Sequence, residues 1–259
     1  MKLSVVIPSY KDPLLQKTID SLLINSELGK ELEIIAVLDG YWPAPQLRDD
    51  PRLKILHLGS NRGMRDAINA GVAIAQGTYL MRTDEHCMFG KGYDRILLER
   101  FKDDWIVHPR RFYLDSEKWE VMDIPPNDYN KLVIDQKRGK FSGVDWKSRA
   151  AKRKDKAIDE TMAMQGSCWV MKRSWWDEVI IELQTDGYGP LYQDSHEMVF
   201  KTWKAGGRLM VNKNTWYAHK HRKFKRTHNY GTKEAEPGWK YSLDTWGDYY
   251  EIIKKKWKI

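Results

Sequence analysis

The strongest constraint in this sequence is a series of unbroken apolar runs with helical stripes between them. Leu3 to Pro8 (LSVVIP) and Leu32 to Leu38 (LEIIAVL) are each apolar at all but one position, and Leu53 to Leu58 and Thr78 to Arg82 (TYLMR) read as further strands. A strand with one wet face alternates apolar and polar residues, whereas an unbroken run belongs to a strand covered on both faces, as in a parallel sheet. After the first run, Asp12 and Pro13 offer an N-cap and a first-position proline, and Leu15, Ile19, Leu22 and Leu23 form an apolar stripe. Arg65 to Ala75 reads as a second helix. The βαβ series predicts a doubly wound α/β sheet, whose ligands bind beyond the carboxyl ends of the strands. Asp39 and Asp84 stand at two of those ends.

From Trp105 onward the pattern is less regular. Pro125-Pro126-Asn127-Asp128 marks a turn, and the basic stretch Lys137 to Lys156 reads as a mobile surface excursion. A strand is expected within Met164 to Met171, a helix from Ser174, and another from Asp194 to Ala205, stopped by Gly206-Gly207. Thr245 to Lys256 reads as a basic helix bearing tryptophan. No internal repeat is visible, and a chain of 259 residues without a linker reads as one domain.

Composition narrows the classes further. With 41% hydrophobic and 31% charged residues the chain fits a globular protein and not a disordered one. No run of about eighteen apolar residues occurs, which excludes a membrane-spanning helix. The apolar start meets Lys11 and Asp12 too soon for a signal peptide, and two cysteines, Cys87 and Cys168, fit a reducing cytoplasm. The formal net charge is +8, concentrated in Lys137 to Lys156 and between Glu197 and Glu234, where no acidic residue occurs. Such a surface draws anions: a diphosphate, nucleic acid or an anionic glycan. The bland alternative is a solvated basic face.

The candidate chemistry sits at Asp84-Glu85-His86. In extended chain Asp84 and His86 point to the same side, so a carboxylate and an imidazole can ligate one divalent ion. A third ligand is available from His219 or His221, and Arg222 follows. Mixed ligation of this kind suits Mn²⁺ with positions left for phosphate oxygens. Arg222 would add a fixed charge that matches phosphate geometry. Against this stand an accidental Asp-x-His triplet and a basic loop that contacts nucleic acid through phosphates.

The ordered motifs resemble those of glycosyltransferase family 2 and its GT-A relatives: SVVIPSYKD at the start, Asp39 after a strand, Asn61-Arg62-Gly63-Met64-Arg65, and the strand into Asp84. Later segments resemble the polypeptide N-acetylgalactosaminyltransferases. Those carry an Asp-x-His-Cys metal motif, as Asp84-Glu85-His86-Cys87 here, and a Thr-Met-Ala-Gly-Gly segment similar to Thr161-Met162-Ala163-Met164-Gln165-Gly166. Their helix ending in Trp-x-x-Gly-Gly resembles Trp203 to Gly207, and their Gly-His-x-x-Arg resembles Ala218-His219-Lys220-His221-Arg222.

The resemblance implies a GT-A fold, with a Rossmann-like, mostly parallel sheet flanked by helices and an acceptor-side half. It implies a single catalytic domain over 1–259, with a nucleotide-sugar-binding half of about 1–110 and an acceptor-binding half of about 111–259. The second half would include the basic loop 137–156 and a closing C-terminal loop and helix. It implies a UDP-sugar donor and a Mn²⁺ site of Asp84, His86 and His219. Donor contacts would come from Pro8, Tyr10, Asp39, Arg65, Asp84, Glu85, Gln165, Gly166 and Arg222, with His228 and Tyr230 closing over the diphosphate.

Departures from that pattern matter as much. The N-acetylgalactosaminyltransferases carry a membrane anchor and a lectin domain, neither visible here, so the acceptor is not inherited. Family 2 enzymes commonly place an acidic pair at the start of the late helix; here the pair is Asp194-Ser195. Asp194 and Glu197 are candidate catalytic groups with Arg222, and equally Asp194-Ser195-His196-Glu197 has the form of a capping box. Without a base, transfer with retention is expected, the departing phosphate oxygen taking the acceptor's proton. The acceptor hydroxyl is then on a protein, a glycan, or a hydroxymethylated pyrimidine in DNA, with Lys137 to Lys156 tracking phosphates and Trp146 stacking on bases. The non-enzymatic alternative is a basic nucleic-acid-binding protein.

Overall fold

The computed structural model of the chain describes residues 1–220 and 232–259. The apolar runs form β1 (Leu3–Ser9), β2 (Leu32–Asp39) and β3 (Leu53–Leu58), with helix α1 (Leu15–Asn25) after the first and α2 (Met64–Ile74) after the third. Then come β4 (Tyr79–Thr83), β5 (Cys87–Phe89), α3 (Tyr93–Leu98), β6 (Trp105–Asp115) and β7 (Glu120–Val121). The hairpin β8 (Asn130–Asp135) and β9 (Lys140–Asp145) leads into α4 (Lys147–Lys152) and β10 (Ile158–Glu160). β11 (Cys168–Lys172) passes into α5 (Arg173–Trp175) and a π-helical turn, and α6 (Asp194–Lys204), β12 (Arg208–His219) and α7 (Thr232–Trp257) complete the order.

One ten-stranded sheet runs β10-β12-β6-β11-β4-β1-β2-β3, with β5 added on β12 and β7 on β6. The block β4-β1-β2-β3 is parallel, as is β6 with β12, while β11 runs antiparallel to both β4 and β6. This is the helix-flanked, mostly parallel sheet that the unbroken runs predict. The boundary expected near residue 110 falls inside β6, so no break between elements marks it.

Strand alternation divides the core between the two faces. Val5, Ile7, Ile34 and Ala36 join Leu15, Ile19 and Leu22 of α1 on one side. Val6, Ile35 and Val37 join Ile68 and Val72 of α2, Phe200 of α6 and Ile253 of α7 on the other. These strand residues are at most 1% exposed, and burial of each aliphatic side chain stabilises by about 1.5–3 kcal/mol. Gly71 lets α2 lie close on the sheet, since a Cβ there would come 2.4 Å from Val6 Cγ1 and 2.9 Å from Val37 Cγ2.

Three local expectations are corrected. α1 begins at Leu15, not Pro13, because Asp12 Oδ1 accepts from Leu14 N at 2.9 Å in a turn ahead of the helix. The stretch 137–156 is not a free excursion: it forms β9 and α4, and Arg149 and Arg153 both turn to Asp159, with N–O distances of 3.3 and 2.8 Å. Those two guanidinium groups neutralise an internal carboxylate and do not form an open phosphate track. The C-terminal helix starts at Thr232 and carries Pro237 within it. It packs Trp246 flat on Phe200 at 5.2 Å, and Tyr250 Oη donates to the Leu132 carbonyl at 3.3 Å. Among the described residues no helix is long and apolar enough to cross a membrane.

Candidate active site

β4 delivers Asp84 at its carboxyl end, and the chain turns through Glu85 and His86 into β5. β5 pairs antiparallel with the end of β12, setting His219 opposite Cys87, and Lys220 N donates to the His86 carbonyl at 3.2 Å. Backbone pairing thus carries a histidine from far along the chain to the strand-end triplet. His219 Nε2 lies 2.9 Å from Asp84 Oδ2 and 3.1 Å from His86 Nε2, and His86 Nε2 lies 3.6 Å from Asp84 Oδ2. Ligands at right angles on an ion with bonds of about 2.1 Å stand about 3 Å apart. Three donor atoms at these separations fit one face of an octahedral divalent ion, and two imidazoles with one carboxylate suit a transition metal.

The protonation states agree with that fit. Burial pushes the His219 pKa down to about 4 against the pull of Asp84, so its imidazole is neutral near pH 7 and its ring nitrogen is available. Burial alone would raise the Asp84 pKa, but the Arg82 guanidinium and the hydrogen bond to His219 outweigh it and hold the carboxyl well below its usual range.

Two neighbours were not legible as functional. Arg82, 2% exposed, places Nη2 2.5 Å from Asp84 Oδ1 and 2.9 Å from Met64 Sδ, and Nη1 donates to the Gly166 carbonyl. Asp12, expected only to cap a helix, sets Oδ2 3.2 Å from His86 Nδ1. The available signal for Arg82 was the two-residue strand period, which puts it on the face of Asp84. For Asp12 no sequence signal links it to a residue so far along the chain.

The donor-side residues divide into two groups. Close to the triad, Glu85 is buried and its Oε2 accepts from Tyr10 N at 2.9 Å, tying the exit of β1 to the strand-end triplet. Tyr10 stands edge-on to Tyr41 at 6.0 Å, and Pro8 is buried in β1 opposite Val37. Gln165 Nε2 donates to Asn130 Oδ1 at 3.1 Å, and Gly166 is packed so that a Cβ would meet Ser195 Oγ at 3.0 Å. Asp194, the first residue of α6, is 6% exposed and near enough to Arg82 to act on its charge.

In the second group, Asp39 accepts from Asn61 Nδ2 at 2.6 Å, Arg62 N at 2.6 Å and Gly63 N at 2.8 Å, holding the loop before α2. Gly63 adopts φ +93° there, and a Cβ would lie 2.5 Å from Pro190. Arg65 has no exposed surface: it pairs with Glu197 at 2.5 Å, donates to the Gln184 and Tyr192 carbonyls, and stacks on Tyr188 at 4.1 Å. The nucleotide contact expected of Arg65 has no exposed atom through which to form. Glu197 is likewise committed, to Arg65 and to Lys201 at 2.8 Å. The capping box does not form either, because the N-cap is Gln193, whose side chain makes no capping hydrogen bond to the first turn. His221, Arg222, His228 and Tyr230 lie outside the described residues.

With this geometry in place, the comparisons with known proteins are decisive for the family. The model of glycosyl transferase family 2 matches residues 4–180, more than half of the chain. The chain belongs to glycosyl transferase family 2. Human polypeptide N-acetylgalactosaminyltransferase 14 is 27% identical over 214 residues, 76% of this family 2 chain and 36% of that protein. The chain thus spans little more than a third of the length of that curated relative. A crystal structure of GalNAc-T7 with UDP, GalNAc and Mn²⁺ is similar at a TM-score of 0.78 and 18% identity, covering 96% of this chain and 50% of that one. S. aureus TarS 1-349 in complex with UDP-GlcNAc is similar at 0.60 and 14% identity, covering 89% and 62%. The fold is that of the GT-A glycosyltransferases.

Proposed function

We propose that this chain transfers a sugar from a UDP-sugar to a hydroxyl acceptor, with Asp84, His86 and His219 holding a divalent cation such as Mn²⁺. The observation that carries the reading is the meeting of three donor atoms, from residues up to 135 positions apart, within 3.6 Å at the carboxyl edge of a family 2 sheet. The similarity to a structure containing UDP and Mn²⁺ supports the choice of nucleotide and ion. A bound cation would neutralise charge on the departing diphosphate. The protein's own share is to hold the ligands neutral or anionic as required, to bind the donor along Tyr10, Glu85 and the 165–166 turn, and to bring Arg222 to the phosphates. The resemblance adds His228 and Tyr230, outside the described residues, as further diphosphate contacts.

Asp194 would orient the donor sugar. Ser195 stands where family 2 enzymes commonly carry a second acid, which supports transfer with retention: the acceptor oxygen bonds to the anomeric carbon on the face that the diphosphate leaves, and the leaving oxygen takes the proton. Inverted linkage in the NMR spectrum of the product would overturn that part.

The decisive test is release of UDP from a panel of UDP-sugars in Mn²⁺. Chelation and His86→Ala should both abolish it. Equal release by the variant would refute the cation site, and no release by either protein would favour a non-catalytic nucleic-acid binder. Mass spectrometry of mixed acceptors, including Ser/Thr peptides, glycans and hydroxymethylated DNA, then identifies the acceptor.

A further inference from the structure

Asp84 and His86 each carry two atoms able to ligate, and only one of each faces the common point. Asp84 presents Oδ2 and His86 presents Nε2. A half-turn of the carboxylate would exchange its two oxygens, and a half-turn of the ring would bring the carbon Cε1 to the common point in place of Nε2, so something must fix each orientation. The idle atoms are both held. Arg82 Nη2 is 2.5 Å from Asp84 Oδ1, and Asp12 Oδ2 is 3.2 Å from His86 Nδ1. The holding groups are buried, with side chains 2% exposed, and are themselves anchored. Arg82 reaches the Gly166 carbonyl and Met64 Sδ, and Asp12 Oδ1 accepts from Leu14 N. A carboxylate on the far nitrogen of a ligating histidine fixes both its tautomer and its ring plane.

We propose that Arg82 and Asp12 are positioning residues of the cation site, locking Asp84 and His86 in the orientation that meets His219. The inference rests on the cation site put forward above. Arg82 makes the argument sharp, because its own charge repels a cation. If it acted only through charge, its removal would tighten binding; if it positions Asp84, removal weakens binding although a like charge has gone.

The test is titration of Mn²⁺ alone, without nucleotide sugar, followed by the electron paramagnetic resonance signal of the free ion. Arg82→Met and Asp12→Ala should each raise the dissociation constant about 10–100-fold, and His86→Ala should abolish binding. Thermal melts without cation establish that each variant is folded. Should either fail to fold, Arg82→Lys and Asp12→Asn replace them. A lysine cannot span Gly166 and Asp84 together, and an asparagine must turn an amide NH₂ toward one of the two N–H groups that Asp12 accepts from. These variants should also weaken binding. Wild-type affinity in the Arg82 and Asp12 variants, or tighter binding by Arg82→Met, with His86→Ala still failing to bind, overturns this inference and leaves the cation site standing. Undiminished binding by His86→Ala overturns the cation site itself.

Discussion

His108 is fully buried in β6, with Nδ1 3.0 Å from the Pro109 carbonyl and no partner for Nε2 among the described residues. Burial lowers its pKa to about 4, whereas in the unfolded chain it titrates near 6.5. Between those values the unfolded state binds the extra proton, so stability rises with pH. The contribution is fully present above about pH 6.5 and is lost as pH falls toward 4, a difference of roughly 3 kcal/mol. Melting temperatures recorded from pH 7 to 4 should therefore fall, and His108→Asn, whose amide can keep the bond to Pro109, should flatten that part of the curve. An unchanged pH profile in the variant would locate the sensitivity elsewhere.

At the level of elements, α2 and α6 are joined by the buried Arg65–Glu197 pair. Removing Glu197 strands the Arg65 charge in the interior, which costs about 3–5 kcal/mol, while replacing both by apolar side chains is far milder. Urea unfolding should show a large loss for Glu197→Met and a partial recovery for Glu197→Met combined with Arg65→Met. Equal losses would mean that the pair itself stabilises. This pair also shows where sequence reading stopped. β1 and β2 were legible because burial on both faces leaves a nearly continuous apolar run; Asp84 and His86 were singled out as if on extended chain, whereas the chain turns through Glu85 and His86 after β4 ends. Arg65 and Glu197 looked like site residues because nothing local shows that they neutralise each other across 132 positions. The stretch 137–156 looked free because Asp159, which collects its arginines, lies just beyond it. Asp12 satisfied the rules for a helix cap so well that its second oxygen, turned to His86, had no reason to be sought.

For the whole molecule, the triad draws on both ends of the sheet's construction: Asp84 and His86 come from the early parallel block and His219 from the last strand. The native fold alone brings the three together, so a cation that binds there stabilises by mass action, about 2.7 kcal/mol at a hundredfold excess over its dissociation constant. Mn²⁺ should raise the melting temperature of the wild-type chain and leave that of His219→Ala unmoved; an equal rise in both would place the ion at another site. Held by Asp84 and His219, such an ion would act as a removable crosslink, closing a loop of 135 residues that the unfolded chain leaves open. Chelators would then cut it as reductants cut a disulfide.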